Sequence, residues 1–134
     1  MVNHNTYMKV AHVFAENSYC KRAQVGALIV KDGNVIAFGY NGTPKGWNNC
    51  CEDENNVTKP EVLHAESNAI TKCSASPNSS SGADLYCTHA PCIECSKLII
   101  QSGIKRVYYD IMYRNDDGIK LLIKNNIPVE QIAP

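Results

Sequence analysis

The sequence of 134 residues has no excess charge of either sign and no long apolar run. Lysine and arginine number 13, aspartate and glutamate also number 13, and no basic block is longer than Lys21-Arg22. We therefore expect that the protein does not bind a nucleic acid polymer by charge alone. No apolar stretch approaches the roughly 20 residues of a membrane-spanning helix, which predicts that the protein has no membrane partner.

The N-terminal segment also lacks the charged and apolar regions of a signal peptide, so we expect a cytoplasmic location. The seven cysteines are an odd number. In a reducing compartment they are expected to be metal ligands or buried thiols rather than a disulfide framework. The length predicts one domain over residues 1–134, with no internal repeat and no linker.

Periodicity and turn residues predict alternating helices and strands. Helices are predicted over residues 7–17, 64–73, 91–103 and 117–125, and strands over residues 25–30, 35–38, 83–88, 105–109 and 127–132. Asp32-Gly33 is typical of a tight hairpin turn between the first two strands. Pro91 suits the first turn of the third helix. This order predicts an α/β protein with a mixed five-stranded sheet and helices on its faces.

Two short motifs predict a metal site: His64-Ala65-Glu66 and Pro91-Cys92-Ile93-Glu94-Cys95. On a helix, residues two apart point to nearly opposite sides, so His64 and Glu66 can share a site only at a helix end. His64, Cys92 and Cys95 offer one nitrogen and two sulfurs, a ligand set typical of zinc. Glu66 is then the candidate base that moves protons. The alternative is a purely structural zinc, with Glu66 as an ordinary first-turn acid.

These motifs resemble those of the zinc-dependent nucleoside and nucleotide deaminases. Three further segments are similar to deoxycytidylate deaminases: Gln24-Val25-Gly26-Ala27, Gly39-Tyr40-Asn41-Gly42-Thr43-Pro44 and Gln101-Ser102-Gly103-Ile104-Lys105. The resemblance extends from the first helix to the region of Asp116-Asp117-Gly118. It implies a three-layer α-β-α cytidine-deaminase-like fold.

The resemblance also implies a reaction, the hydrolytic deamination of dCMP to dUMP and ammonia, which feeds dTMP synthesis. A zinc-activated water would attack C4 of cytosine while Glu66 acts as the proton shuttle. Asn41 would approach the sugar and Tyr113 would line the nucleotide site. For the phosphate, Arg22 and Arg114 are ranked ahead of Lys45.

The long segment over residues 41–63 has little apolar content and needs an organiser. Some deoxycytidylate deaminases carry a second, structural zinc, and Cys20 and Cys50 fall at the matching places. Cys51, or a histidine from elsewhere in the chain or from another subunit, would complete that site. The alternative is that these cysteines are buried thiols. His89 either faces the base or fills the loop before Pro91.

Members of the family are typically homo-oligomers, often hexamers, and many are activated by dCTP and inhibited by dTTP with Mg²⁺. Gly39-Tyr40-Asn41-Gly42 is the segment in which to look for such an effector site. Two other functions stay open at this point. One is an enzyme of the same fold that acts on cytidine or on adenosine in tRNA, and the other is a non-catalytic module stabilised by zinc.

Overall fold

A computed structural model describes residues 2–134, and the element types follow the predicted order. The helices are α1 (His4–Ala15), α2 (Ala65–Ser74), α3 (Ile93–Gln101) and α4 (Asp117–Lys124). The strands are β1 (Gly26–Lys31), β2 (Asn34–Tyr40), β3 (Asp84–His89), β4 (Arg106–Ile111) and β5 (Val129–Gln131). Within the described residues, no helix combines the length and the apolar character that crossing a bilayer requires.

The five strands form one mixed sheet, in the order β2-β1-β3-β4-β5. β1 is antiparallel to both β2 and β3, whereas β3, β4 and β5 run parallel to one another. At the β1–β2 hairpin, Asp32 and Gly33 both have positive φ, 51° and 79°. Two positive φ angles match the right-handed twist of the flanking strands, which is why an Asp-Gly pair closes this turn. The predicted mixed sheet is confirmed.

Alternating side chains of the sheet enter two separate cores. Leu28 and Val30 of β1 pack with Tyr7 and Met8 of α1 on one face. Ala27 and Ile29 of β1 belong to the core on the opposite face. That second core also contains residues from the other three helices: Ala65, Ala69, Cys73, Ile99, Ile119 and Leu122. Because helices cover both faces of the sheet, the three-layer α-β-α fold is confirmed.

Two glycines allow helices to approach their neighbours closely. A Cβ atom at Gly39 of β2 would lie 2.5 Å from the carbonyl oxygen of Ala65 and 2.5 Å from the nitrogen of Ala69. A Cβ atom at Gly118 of α4 would lie 2.2 Å from the carbonyl oxygen of Pro91. The start of α2 and the turn before α3 are therefore held against the rest of the fold by backbone contact.

The long segment over residues 41–63 is organised by a disulfide between Cys20 and Cys51, with a Cα–Cα distance of 5.1 Å. This differs from two expectations: that the cysteines are metal ligands or buried thiols rather than disulfides, and that Cys20 and Cys50 together hold a second zinc. Successive side chains of an extended chain point to opposite sides, so only one of two neighbouring cysteines can face Cys20. Cys51 is buried, whereas Cys50 is a free, exposed cysteine. In the disulfide form Cys20 has no thiolate to offer a metal. Cys73 and Cys87 are buried free thiols.

Candidate active site

The two motifs place their first metal-ligating residue at the start of a helix. His64 is the N-cap residue of α2 and Cys92 is the N-cap residue of α3. The sulfur of Cys92 accepts a hydrogen bond of 3.5 Å from the backbone N–H of Cys95. Pro91 lies just before the cap, and therefore outside the first turn of the helix in which it was predicted. Two helix N-termini therefore face one point, where their positive ends favour anionic ligands.

His64, Cys92 and Cys95 form a compact cluster whose ligand atoms all lie within 4.8 Å of one another. The His64 Nδ1 atom is 3.4 Å from the sulfur of Cys92 and 3.4 Å from that of Cys95. Nitrogen and sulfur ligands of one tetrahedral zinc ion would be about 3.5 Å apart, given the usual bond lengths. The donor set and its spacing both fit zinc. The structure thus brings together the three predicted ligands.

The protonation of these ligands is coupled. Contact with Cys95 lowers the pKa of Cys92 well below its usual range, and the same contact raises the pKa of Cys95. The bond to Cys92 raises the pKa of His64, and burial opposes that rise. Without a metal, these shifts favour a proton on Cys95 and on His64. A zinc ion would replace these protons, because metal ligands must be deprotonated.

Glu66 lies in the first turn of α2 and is only 4% exposed. Burial raises the pKa of this carboxyl to about 7, although contacts with Cys95 and His64 act in the opposite direction. A carboxyl with a pKa near neutrality can both take up and release a proton at physiological pH, which a proton shuttle requires. Glu94, by contrast, is exposed and forms an ion pair of 2.7 Å with Lys97.

A cavity of about 220 Å³ joins this cluster to the predicted nucleotide-binding residues. Its walls include His64, Glu66 and Cys92 of the cluster together with Asn41, Tyr113, Arg22 and Arg114. Lys45 lies in a separate depression. The Arg114 guanidinium lies 5.3 Å from the centre of the Tyr113 ring and donates a hydrogen bond of 3.3 Å to its hydroxyl. Two arginines thus share one cavity with the metal-binding cluster.

Asn41 uses its side chain to hold the neighbouring loop. Its Oδ1 atom accepts a hydrogen bond of 2.9 Å from the N–H of Val25, and its Nδ2 atom donates one of 2.9 Å to the carbonyl of Ala23. The amide therefore has one remaining hydrogen and one remaining lone pair for a ligand in the cavity.

His89 also lines the cavity. The buried hydroxyl of Thr88 accepts the N–H of Gly26 at 3.1 Å and lies 2.9 Å from Nδ1 of His89. Since a buried hydroxyl hydrogen needs an acceptor, Thr88 donates to Nδ1 and the other ring nitrogen of His89 carries the hydrogen. Burial lowers the pKa of His89, and the neighbouring His12 lowers it further.

Two polar residues of the cavity were not predicted from the sequence: Glu52 and Thr58, both from the long segment over residues 41–63. Nothing local in the sequence marks them, because they reach the cavity only through contacts with residues far away in the chain. Their backbones pair in an isolated antiparallel bridge. The disulfide at Cys51 brings this bridge next to the loop that follows α1.

A three-layer α/β fold with a His-Cys-Cys zinc site at two helix N-termini, beside a glutamate that is not a ligand, defines the class of the zinc-dependent deaminases. Residues 1–111 match the zinc-binding region of cytidine and deoxycytidylate deaminases. The chain belongs to this family.

Individual relatives agree with this assignment. The ComE operon protein 2 of Bacillus subtilis is 39% identical over 132 residues, which are 94% of this chain and 69% of that protein. Deoxycytidylate deaminase of Saccharomyces cerevisiae is 38% identical over 137 residues, 95% of this chain but only 44% of the yeast protein. The solved structure of dCMP deaminase from the cyanophage S-TIM5, in complex with dCMP and dUMP, is 50% identical with a TM-score of 0.93. The match covers 95% of this chain and 94% of that one.

Proposed function

We propose that the protein catalyses the hydrolytic deamination of dCMP to dUMP and ammonia, and so supplies a precursor for dTMP synthesis. The observation that carries this proposal is one cavity lined by His64 and Cys92 of the His-Cys-Cys cluster, by the buried Glu66 and by two arginines. The similarity to an enzyme solved with dCMP and dUMP supports the choice of substrate.

The chain supplies the proton transfers of this reaction. His64, Cys92 and Cys95 would hold a zinc ion, which would supply a Lewis acid that lowers the pKa of a water molecule. Glu66 takes a proton from the attacking water and delivers a proton to N3 of the cytosine ring. Water adds at C4, the bond from C4 to the amino nitrogen breaks, and ammonia leaves with the second proton. The raised pKa of Glu66, about 7, suits both transfers.

The rest of the cavity binds the nucleotide. All four predicted nucleotide-binding residues line the cavity, and we assign the 5′-phosphate to Arg22 and Arg114 and the sugar to Asn41 and Tyr113. None of the ion pairs within residues 2–134 involves either arginine. Their charges are therefore available for a phosphate, to which guanidinium groups donate paired hydrogen bonds.

Ammonia release distinguishes this proposal from its alternatives. The purified zinc-loaded protein would be incubated with dCMP, deoxycytidine, cytidine and adenosine-containing RNA. We expect turnover of dCMP with the highest kcat/KM. Preference for cytidine or for the RNA would favour another substrate on the same fold, and no turnover of any of them would favour a non-catalytic zinc-stabilised module.

The phosphate contact is tested with Arg22→Ala and Arg114→Ala. Each is expected to raise KM for dCMP much more than KM for deoxycytidine, because only dCMP carries the phosphate. Lys45→Ala is the control, since Lys45 lies in the separate depression. Equal effects on both substrates at both arginines would refute the assignment.

We place regulation by dCTP and dTTP with Mg²⁺ at the separate depression. It is lined by polar and aromatic residues around the Gly39-Tyr40-Asn41-Gly42 segment, among them Tyr40, Lys45, Trp47 and Lys72. Lysine charge and aromatic faces suit a nucleoside triphosphate. dCTP should shift the dCMP saturation curve to lower concentrations, and dTTP should shift it to higher ones. An unchanged curve would remove this site.

The remaining expectations are also proposals. We propose a single domain that assembles as a homo-oligomer, a hexamer, in the cytoplasm. Exposed apolar residues near the ends of α3 and β4 support an assembly: Ile93, Leu98, Ile111 and Met112. Sedimentation of the purified protein measures the oligomeric state.

We also propose that Cys20 and Cys50 hold a second zinc ion when the chain is reduced. A measured content of one zinc ion per reduced chain would argue against this second site.

A further inference from the structure

The loop that carries Arg22 into the cavity has no regular secondary structure. It lies between the end of α1 and the start of β1, over residues 16–25. A loop without its own helical or strand hydrogen bonds needs other contacts to hold one conformation. Here those contacts come from Asn41 and from the neighbouring pair Cys51 and Glu52.

Glu52 makes the contact nearest to Arg22. Its Oε2 atom accepts a hydrogen bond of 2.9 Å from the N–H of Lys21 and one of 3.1 Å from the N–H of Arg22. The residue is only 6% exposed. A buried carboxylate is tolerated only when hydrogen bonds satisfy it, and bonds to a charged acceptor are stronger than neutral ones. The backbone at Arg22 is therefore fixed by a buried, charged acceptor.

The same carboxylate leaves the charge of Arg22 available. Glu52 binds the backbone of Arg22, and within residues 2–134 no carboxylate forms an ion pair with its guanidinium. One Nη atom of that guanidinium lies 3.5 Å from the hydroxyl of Thr58, the residue that pairs with Glu52 in the isolated bridge. Glu52 thus fixes the backbone position from which the Arg22 side chain extends, and it does not neutralise the guanidinium group.

We propose that Glu52 is a positioning residue for substrate phosphate, which acts by holding the backbone of Arg22 so that the guanidinium points into the cavity. This inference rests on the proposed function and adds to it a residue that touches neither the base nor the zinc ligands. It predicts that Glu52 sets the preference for a nucleotide over a nucleoside.

The experiment measures steady-state kinetics with dCMP and with deoxycytidine for zinc-loaded wild type, Glu52→Ala, Glu52→Gln and Glu52→Asp. Loss of two hydrogen bonds to a charged acceptor should raise KM for dCMP roughly tenfold in Glu52→Ala. A tenfold change corresponds to about 1.4 kcal/mol. We expect kcat for dCMP, and both kcat and KM for deoxycytidine, to stay within about twofold, because no contact to the base is lost. Glu52→Gln should recover most of the affinity, because one amide oxygen can accept both N–H groups.

Two comparisons make the test specific. Glu54→Gln is the matched control, an exposed carboxylate two residues away, and should leave both substrates unaffected. In an Arg22→Ala background, Glu52→Ala should cause no further rise in KM for dCMP, because the group that it positions is gone. If a thermal melt shows that Glu52→Ala is unfolded, Glu52→Asp must show the same rise in KM for dCMP alone. The shorter aspartate side chain moves the carboxylate oxygen away from the N–H groups of Lys21 and Arg22.

The outcomes separate the two proposals. Wild-type protein that does not deaminate dCMP overturns the proposed function and this inference with it. Active wild type with equal KM changes for dCMP and deoxycytidine, or with the full effect of Glu52→Ala retained in the Arg22→Ala background, overturns only the role of Glu52.

Discussion

The cluster of predicted zinc ligands and the loop proposed to bind the phosphate line one cavity but are built differently. His64 and Cys92 are helix N-cap residues, and Glu66 lies in the first turn of α2. α2 packs directly on the sheet, and α3 contributes Ile99 to the core on the same face. Arg22, by contrast, lies on a loop without regular structure that is held by contacts with side chains of another loop.

This difference in construction suggests different roles: the helix ends hold the groups for metal binding and proton transfer, and the loop holds the group that selects the substrate. Proton transfer and metal binding require atoms fixed to within a fraction of an ångström, which helix ends packed against a sheet supply. Recognition of a phosphate by a long, exposed side chain tolerates more movement. Changes in the cluster should therefore abolish turnover, whereas changes in the loops should alter KM, substrate preference and local stability.

The largest effect is expected from Glu66→Gln. The amide cannot carry a proton between water and the base, so kcat for dCMP should fall about a hundredfold to ten-thousandfold. Zinc content should stay the same, because Glu66 is outside the ligand cluster. Ammonia release and metal analysis measure the two quantities. Glu94→Gln, on the exposed side of α3, is the control. Substantial turnover by Glu66→Gln would exclude Glu66 as the proton shuttle.

The next largest effect tests the loops. Reduction of the Cys20–Cys51 disulfide, or Cys51→Ser, should lower the free energy of unfolding by roughly 3 to 4 kcal/mol, as expected for a bond that spans 31 residues. Denaturant unfolding with and without reductant measures this change.

Cys50→Ser is the control for that experiment, because Cys50 is exposed and outside the disulfide. It should unfold at the same denaturant concentration as the wild type. The disulfide leaves five of the seven cysteines free for alkylation in the oxidised wild type. Alkylation of all seven would show that Cys20 and Cys51 are not bonded to each other.

Close packing of α2 on the sheet is tested by Gly39→Ala. The added methyl group would lie 2.5 Å from backbone atoms of Ala65 and Ala69, so α2 must shift, at a cost of about 1 to 3 kcal/mol in unfolding free energy. Gly42→Ala is the matched control, since a Cβ atom there meets nothing within 4 Å. If both variants unfold alike, backbone contact does not hold the start of α2.

The same contrast explains how far the sequence predicts the structure. The helix-end placement of His64 and Cys92 follows from local rules, because residue spacing and Pro91 restrict where a helix begins. Asp32-Gly33 predicts its hairpin for the same reason. Only the ends of elements differ: β5 is three residues long, and Ile127, predicted as strand, instead packs in the core before it.

The loops are beyond such rules, because their contacts join residues that are distant in sequence. Alternation implies that one of Cys50 and Cys51 faces Cys20, but it does not say which one. The hydrogen bonds from Lys21 and Arg22 to Glu52 connect two segments that have no periodicity of their own. Glu52 therefore becomes visible as a candidate only when the folded structure brings these segments together.

The smallest effect is expected from Thr58→Val, which removes the hydroxyl next to Arg22 at nearly constant side-chain volume. The contact to the guanidinium is long, 3.5 Å, and exposed to solvent. Such a hydrogen bond contributes little, so KM for dCMP should rise by about twofold at most. Steady-state kinetics with dCMP, in parallel with Glu52→Ala, measures the difference. A rise as large as that of Glu52→Ala would mean that a side-chain contact, and not the buried backbone anchor, positions Arg22.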